Sequence, residues 1–192
     1  MAIQHTLFIS TDRIKRDTSI GGSVSDQLLF PYILMAQDRY ILPVLGTDLY
    51  NKLISDIQGS SLAGAYLTLL QTYIQPSLVQ FSYATVLPFL RLRMVNNSIV
   101  TMTSEQGSSV SHSDLKPLIN ASMDHAEFMR QRLIDYISNN TSSFPEYSSN
   151  TGADLSPTTN NYYAGLNLDV SPSNERMANL LRKAGVTIVD CN

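Results

Sequence analysis

Charge is what this sequence has least of. Asp, Glu, Lys and Arg make up 15% of its 192 residues, well under the quarter or so of an ordinary soluble domain, and uncharged Ser, Thr, Asn and Gln fill the difference. Such a surface suits a protein packed among neighbours. The net charge of −3 and a pI near 5.5 provide no global basic field to draw in nucleic acid phosphates. Cysteine is limited to Cys191, which excludes an intrachain disulfide framework and any multi-cysteine metal site, and fits a reducing cytoplasm. No apolar run approaches the ~20 residues that span a bilayer. Met1 to Ser10 lacks the charged and apolar regions of a signal peptide. A chain that is neither exported nor embedded in a membrane is therefore expected.

What is present is hydrophobic content of 43%, enough for one core with appendages. The periodicity predicts a mainly α protein: a small helical bundle with a β-hairpin or extended loop and a long C-terminal arm. After a polar lead-in with Arg13, Lys15 and Arg16, apolar residues at Leu29, Ile33, Ala36 and Tyr40 predict a helix. It should begin near Phe30, because Pro31 is tolerated only at a helix start, and stop at Pro43. Val44 to Gly46 reads as a tight turn. Thr47 then caps a helix with Leu49, Leu53, Ile54 and Ile57 on one face, closed by Gly59. Ser61 to Val95 predicts two helices meeting at Pro76, the second kinked by Pro88. Ile99 to Thr103 alternates and is matched by Gln106 to His112 across Gly107, as in a hairpin or an extended loop. The longest helix, Asp114 to Ser138, carries a stripe of Leu118, Ser122, Ala126, Met129, Leu133 and Ile137 behind a Ser113 cap.

Three regions follow: a helical domain at 1–138, an extended Ser/Thr/Asn-rich arm at 139–174, and a short helix plus terminal strand at 175–192. The arm has no Lys or Arg but embeds Phe144, Tyr147, Tyr162 and Tyr163, which favours docking on a partner over a freely solvated tail. The terminal segment, with Val186 and Ile188 in a short apolar strand, has no partner of its own and would suit addition to a neighbour's sheet.

Tests for chemistry find little. His125 and Glu127 form an H-x-E pair without the P-C-x-x-C that zinc deaminases need. His112 lies among Ser111, Ser113 and Asp114, but triads assemble from distant segments, and a helix cap explains the cluster better. Gly21 with Gly22, and Gly107 alone, make neither a P-loop nor a dinucleotide fingerprint. No catalytic residue, cofactor or metal is expected. Arg91 and Arg93 are candidates for lining a DNA channel or forming ion pairs, and with the N-terminal cations Arg13, Lys15 and Arg16 they carry the alternative of a helical DNA-associated or regulatory module.

The stretch L-F-P-Y-I-L-M-A-Q-D-R-Y-I-L-P-V-L-G-T-D-L-Y-N-K-L, Leu29 to Leu53, resembles the opening of head-to-tail connector adaptor proteins of tailed bacteriophages. It is especially similar to adaptor-like ring proteins of crAss-like Bacteroidetes phages. Beyond it, the likeness extends only to the order of elements. The resemblance implies a structural virion protein, not an enzyme, forming a closed ring of about twelve copies beneath the portal protein. Its partners would be further copies of itself, the portal, tail or other connector ring proteins, and DNA passing through without sequence-specific binding. Its place would be the portal vertex, after assembly in the host cytoplasm. By position, Pro43, Leu45 and Gly46 would shape a turn between helices, and Leu49, Tyr50 and Leu53 would lock the second helix to the bundle. Ile99, Val100, Met102, Gly107 and Val110 of the loop, with the aromatic residues of the arm and the terminal strand, are candidates for contact with a neighbour or the portal.

Overall fold

The computed structural model describes residues 5–95, 98–101, 112–149, 151 and 154–158, with only the backbone course given for 91–95, 98–101 and 112. The chain divides into two units, 1–159 and 160–192, and the second lies outside the described residues.

The first unit is helical. The polar lead-in is itself a helix, α1 (Thr11–Asp17), because the Ser10 hydroxyl accepts the Arg13 N–H at 3.2 Å and Asp12 sits in the first turn. α2 (Asp26–Ala36) begins four residues before Phe30 and takes Pro31 inside it. It does not stop at Pro43. It runs through a π-helical turn (Gln37–Ile41) into α3 (Leu42–Gln58), and the break comes at Gly46, with φ +73° and ψ 162°. Pro76 likewise does not separate two helices. α4 (Gly64–Thr68) continues through a second π-helical turn (Leu69–Ile74) into α5 (Gln75–Arg91). A proline ring crowds the carbonyl four residues back. For Pro43 and Pro76 those carbonyls belong to Arg39 and Thr72, and both lie in the widened turns. At the end of α3, Gly59 stays right-handed and Ser60 takes the positive φ, at 53°.

After α5, β1 (Leu92–Val95) pairs antiparallel with β2 (Ser98–Thr101), Leu92 opposite Thr101. This pairing is not the one the alternation predicted. Ile99–Thr101 pairs backwards in sequence, with a segment expected to be helical, and residues 102–111 lie outside the described residues. α6 (His112–Asn139) starts one residue before its expected cap. A 3₁₀ turn (Thr141–Ser143) and α7 (Pro145–Ser149) follow.

α5 is the central element, packed on α6, α2 and α1. Its Phe81 stacks on Tyr40 at 4.1 Å, and its Ser77 hydroxyl reaches the Ala126 carbonyl of α6 at 3.4 Å. The stripe on α6 is buried at Ser122, Ala126, Leu133 and Ile137 and half-buried at Met129, but Leu118 at its head is exposed. The core extends past residue 138. Phe144 is fully buried, edge-on to Tyr66 at 5.4 Å and Tyr136 at 6.0 Å, and Tyr147 is buried beside α3. The first part of the arm is therefore bundle, because its aromatic side chains find their apolar surroundings within the chain.

Candidate functional site

Several polar bonds fasten the end of the described chain across the break in α3. The Asp48 carboxylate accepts both the N–H and the hydroxyl of Thr151 at 2.7 Å, and these bonds hold its pKa below the usual carboxylate range. Thr47 donates its N–H to the Leu155 carbonyl at 3.0 Å, and its hydroxyl accepts the Leu155 N–H at 2.9 Å. Thr158 donates to the Pro43 carbonyl at 2.8 Å. Pro157 lies against Gly46, where a Cβ would fall 2.7 Å from its ring carbons. Glycine is required here twice over, by φ and by contact. Thr151 and residues 154–158 thus form a strap over the stretch where Pro43, Leu45 and Gly46 were expected to shape a turn. Leu45, Leu49 and Leu53 are fully buried, and Tyr50 nearly so.

A second docked segment lies at the other end. The side-chain amide of Gln37, fully buried in the first π turn, accepts the Phe8 N–H at 2.8 Å and donates to the Thr6 carbonyl at 3.1 Å and to the Tyr50 hydroxyl at 2.7 Å. Gln75, just after the second π turn, donates to the Phe8 carbonyl at 2.8 Å and accepts from Arg13. Tyr50 passes its proton side to Asp38 at 2.9 Å. Its phenol is pushed up to about 12, chiefly by burial, with the Asp38 carboxylate adding and the Gln37 amide opposing. Nothing in the sequence periodicity pointed to these glutamines. The available signal was an uncharged polar residue at a position where the apolar stripe continues, Ile33–Ala36–Gln37.

The N-terminal cations are engaged within the chain: Arg13 with Asp17 at 3.2 Å, Lys15 with Asp26 at 2.6 Å and Arg16 with Asp17 at 2.8 Å. Glu127 pairs with Arg130 at 2.7 Å, and His125 is exposed. Among the described residues no group of His, Cys, Asp and Glu is placed to hold a metal ion, and no helix is long and apolar enough to cross a membrane.

Among the described residues, apolar side chains cluster on the outside of α2 and of α6. On α2, Leu28, Tyr32 and Met35 recur at helical spacing, and Phe89 of α5 stacks on Tyr32 at 4.7 Å. Leu28, Met35 and Phe89 are 41%, 49% and 42% exposed. On α6, Leu118, Ala121, His125 and Phe128 form an outward stripe, with Leu118 42% and Phe128 53% exposed. Ser77 of α5 faces α6 and Phe89 faces α2. Twelve residues at 3.6 per turn put those directions roughly 120° apart around α5, so the patches look different ways. The signal for the first was visible: α2 is apolar on every side, more than one buried face can absorb.

The expected contact residues are divided. Phe144 and Tyr147 are turned into the core and are not available to a partner. Ile99 and Val100 lie on β2, Arg93 on β1, and Arg91 ends α5. Met102, Gly107, Val110, Tyr162, Tyr163, Val186 and Ile188 lie outside the described residues.

Residues 41–156 match a family described as a family of unknown function, DUF6712. The chain belongs to the DUF6712 family. The matched region opens at Ile41 and closes at Ser156, so its two ends meet where the strap crosses the break in α3. The α6 patch falls inside the DUF6712 region, and Leu28, Tyr32 and Met35 of the α2 patch precede it. No curated protein and no solved structure matches the chain.

Proposed function

We propose that this protein is a structural subunit that assembles head-to-tail into a ring, as a connector component between the portal vertex and tail of a bacteriophage. The observation that carries this reading is the pair of exposed apolar patches facing different directions. A ring needs two different, complementary surfaces on each copy, because a heterologous contact repeats until it closes. Contiguous apolar surface left outside a folded unit marks contact with another macromolecule. The resemblance of Leu29 to Leu53 to connector adaptors supplies the place, the portal partner and the virion location. Low charge density and a net acidic balance suit a collar through which DNA slides without being gripped.

The test uses Leu28→Glu on one patch and Phe128→Glu on the other, with mass measured by light scattering. Either substitution alone stops growth beyond small species. Mixing the two variants gives dimers, since one intact pair of surfaces remains. Unchanged assembly in both variants, or a parent chain that stays monomeric at all concentrations and with portal protein present, contradicts the reading. Salt-dependent binding of DNA by such a monomer would support a DNA-associated module instead.

A further inference from the structure

A helix keeps a break only if the groups it separates find other partners. In an unbroken α3, the Thr47 N–H would donate to the carbonyl of Pro43, four residues back. Gly46 turns the 46–47 peptide out of the helix; the helical bonds Thr47–Pro43, Asp48–Val44 and Leu49–Leu45 all span it, and the strap takes up both halves of the first. Leu155 accepts from Thr47 at 3.0 Å, and Thr158 donates to Pro43 at 2.8 Å. Pro157 fills the space between, against Gly46. One turn of extended chain therefore stands in for one helical hydrogen bond.

We propose that the strap is a conformational latch: while docked it holds α3 broken at Gly46, and when it leaves, the Thr47–Pro43 bond closes and Leu42–Gln58 becomes one continuous helix. Glycine crosses between positive and negative φ more readily than any other residue, so the position that breaks the helix is also suited to mend it. The donor and acceptor left by the strap are already four residues apart, the spacing a helix uses. Thr151, Leu155, Ser156 and Thr158 are exposed, and their partners Thr47 and Asp48 lie at the rim of the bundle. The strap can thus leave without itself uncovering Leu45, Leu49 and Leu53, and straightening at Gly46 then re-aims Leu45 relative to Leu49 and Leu53. This device does not depend on ring formation.

Residue-resolved hydrogen exchange of the full chain tests it. The amides of Leu155, Thr158 and Thr47 are all bonded across the same junction. With a latch, Leu155 and Thr158 exchange together as the strap opens, while Thr47, re-bonded to Pro43, exchanges at least tenfold more slowly. Equal rates at the three amides, or faster exchange at Thr47, overturn the proposal. A second readout is Gly46→Ala, made in the parent chain and in a full-length chain carrying Asp48→Ala, Thr151→Ala and Pro157→Gly. The substitution lowers the unfolding midpoint where the strap is docked and raises it where the strap is freed, because alanine resists positive φ but favours a straight helix. A lowered midpoint in both backgrounds overturns the latch.

Discussion

Two non-helical segments, one near each end of the described chain, dock on irregularities of the same α2–α3 run, and they are held by opposite means. Thr6–Phe8 is gripped by the amide of Gln37, buried in a π turn, and by Gln75 at the end of another. The strap, Thr151 and residues 154–158, is gripped by backbone groups, the Thr47 hydroxyl and Asp48 at the glycine break, and its own residues are mostly exposed. Bonds to a buried amide are costly to leave unmade, because water cannot replace them. Bonds at a rim exchange with water at little cost. The first segment is part of the fold, and the second is a removable fastening.

The sharpest way to break that contrast is at Gln37. Gln37→Leu strands the Phe8 N–H, the Thr6 carbonyl and part of the Tyr50 network, and should lower unfolding free energy by about 3 kcal/mol in a denaturant titration. A loss like that of a surface substitution would make the clamp ornamental. Gly46→Ala comes next, at about 2 kcal/mol for a β-carbon forced to positive φ and pressed on Pro157. Tyr147→Phe runs the other way. The Tyr147 hydroxyl is buried with no hydrogen-bond partner among the described residues, so its removal should raise stability by about 1 kcal/mol, and a decrease would mean that the hydroxyl is satisfied.

The smallest effect is on the strap and depends on pH. Asp48 has a lowered pKa in the folded chain because Thr151 donates to it. Its contribution is complete above the unfolded carboxylate value and is lost as pH falls through the lower folded value. Exchange at the Thr151 and Leu155 amides should therefore quicken, once corrected for intrinsic rates, as pH falls below about 4, while the Phe8 amide keeps its protection. Asp48→Asn should remove that pH dependence. Equal acid sensitivity at both segments would erase the distinction between them.

Much of the bundle was legible because apolar spacing survives local accident. Leu29, Ile33 and Ala36, then Leu49 and Leu53, then Ala126, Leu133 and Ile137 are buried as their periodicity predicts. Prolines misled where a widened turn absorbed the ring: Pro43 and Pro76 sit within continuous helical runs. Phe144 and Tyr147 misled because a Ser- and Asn-rich setting looks solvated whether or not its aromatic residues return to their own core. The strap could not be read from sequence, since its bonds join positions more than a hundred residues apart, some through backbone groups that every residue carries and the rest through Thr and Asp side chains that any polar segment offers. Gly46 marked the interruption, with Pro43 inside the run before it, and only the structure adds Pro157 and Thr158.

The most direct measurement of the proposed role is negative-stain microscopy of the full chain, alone and mixed with the portal protein of the same genome. Assembly through two differently facing patches predicts closed rings that stack coaxially on the portal. Compact monomers or dimers under all conditions, with the portal left bare, would contradict it.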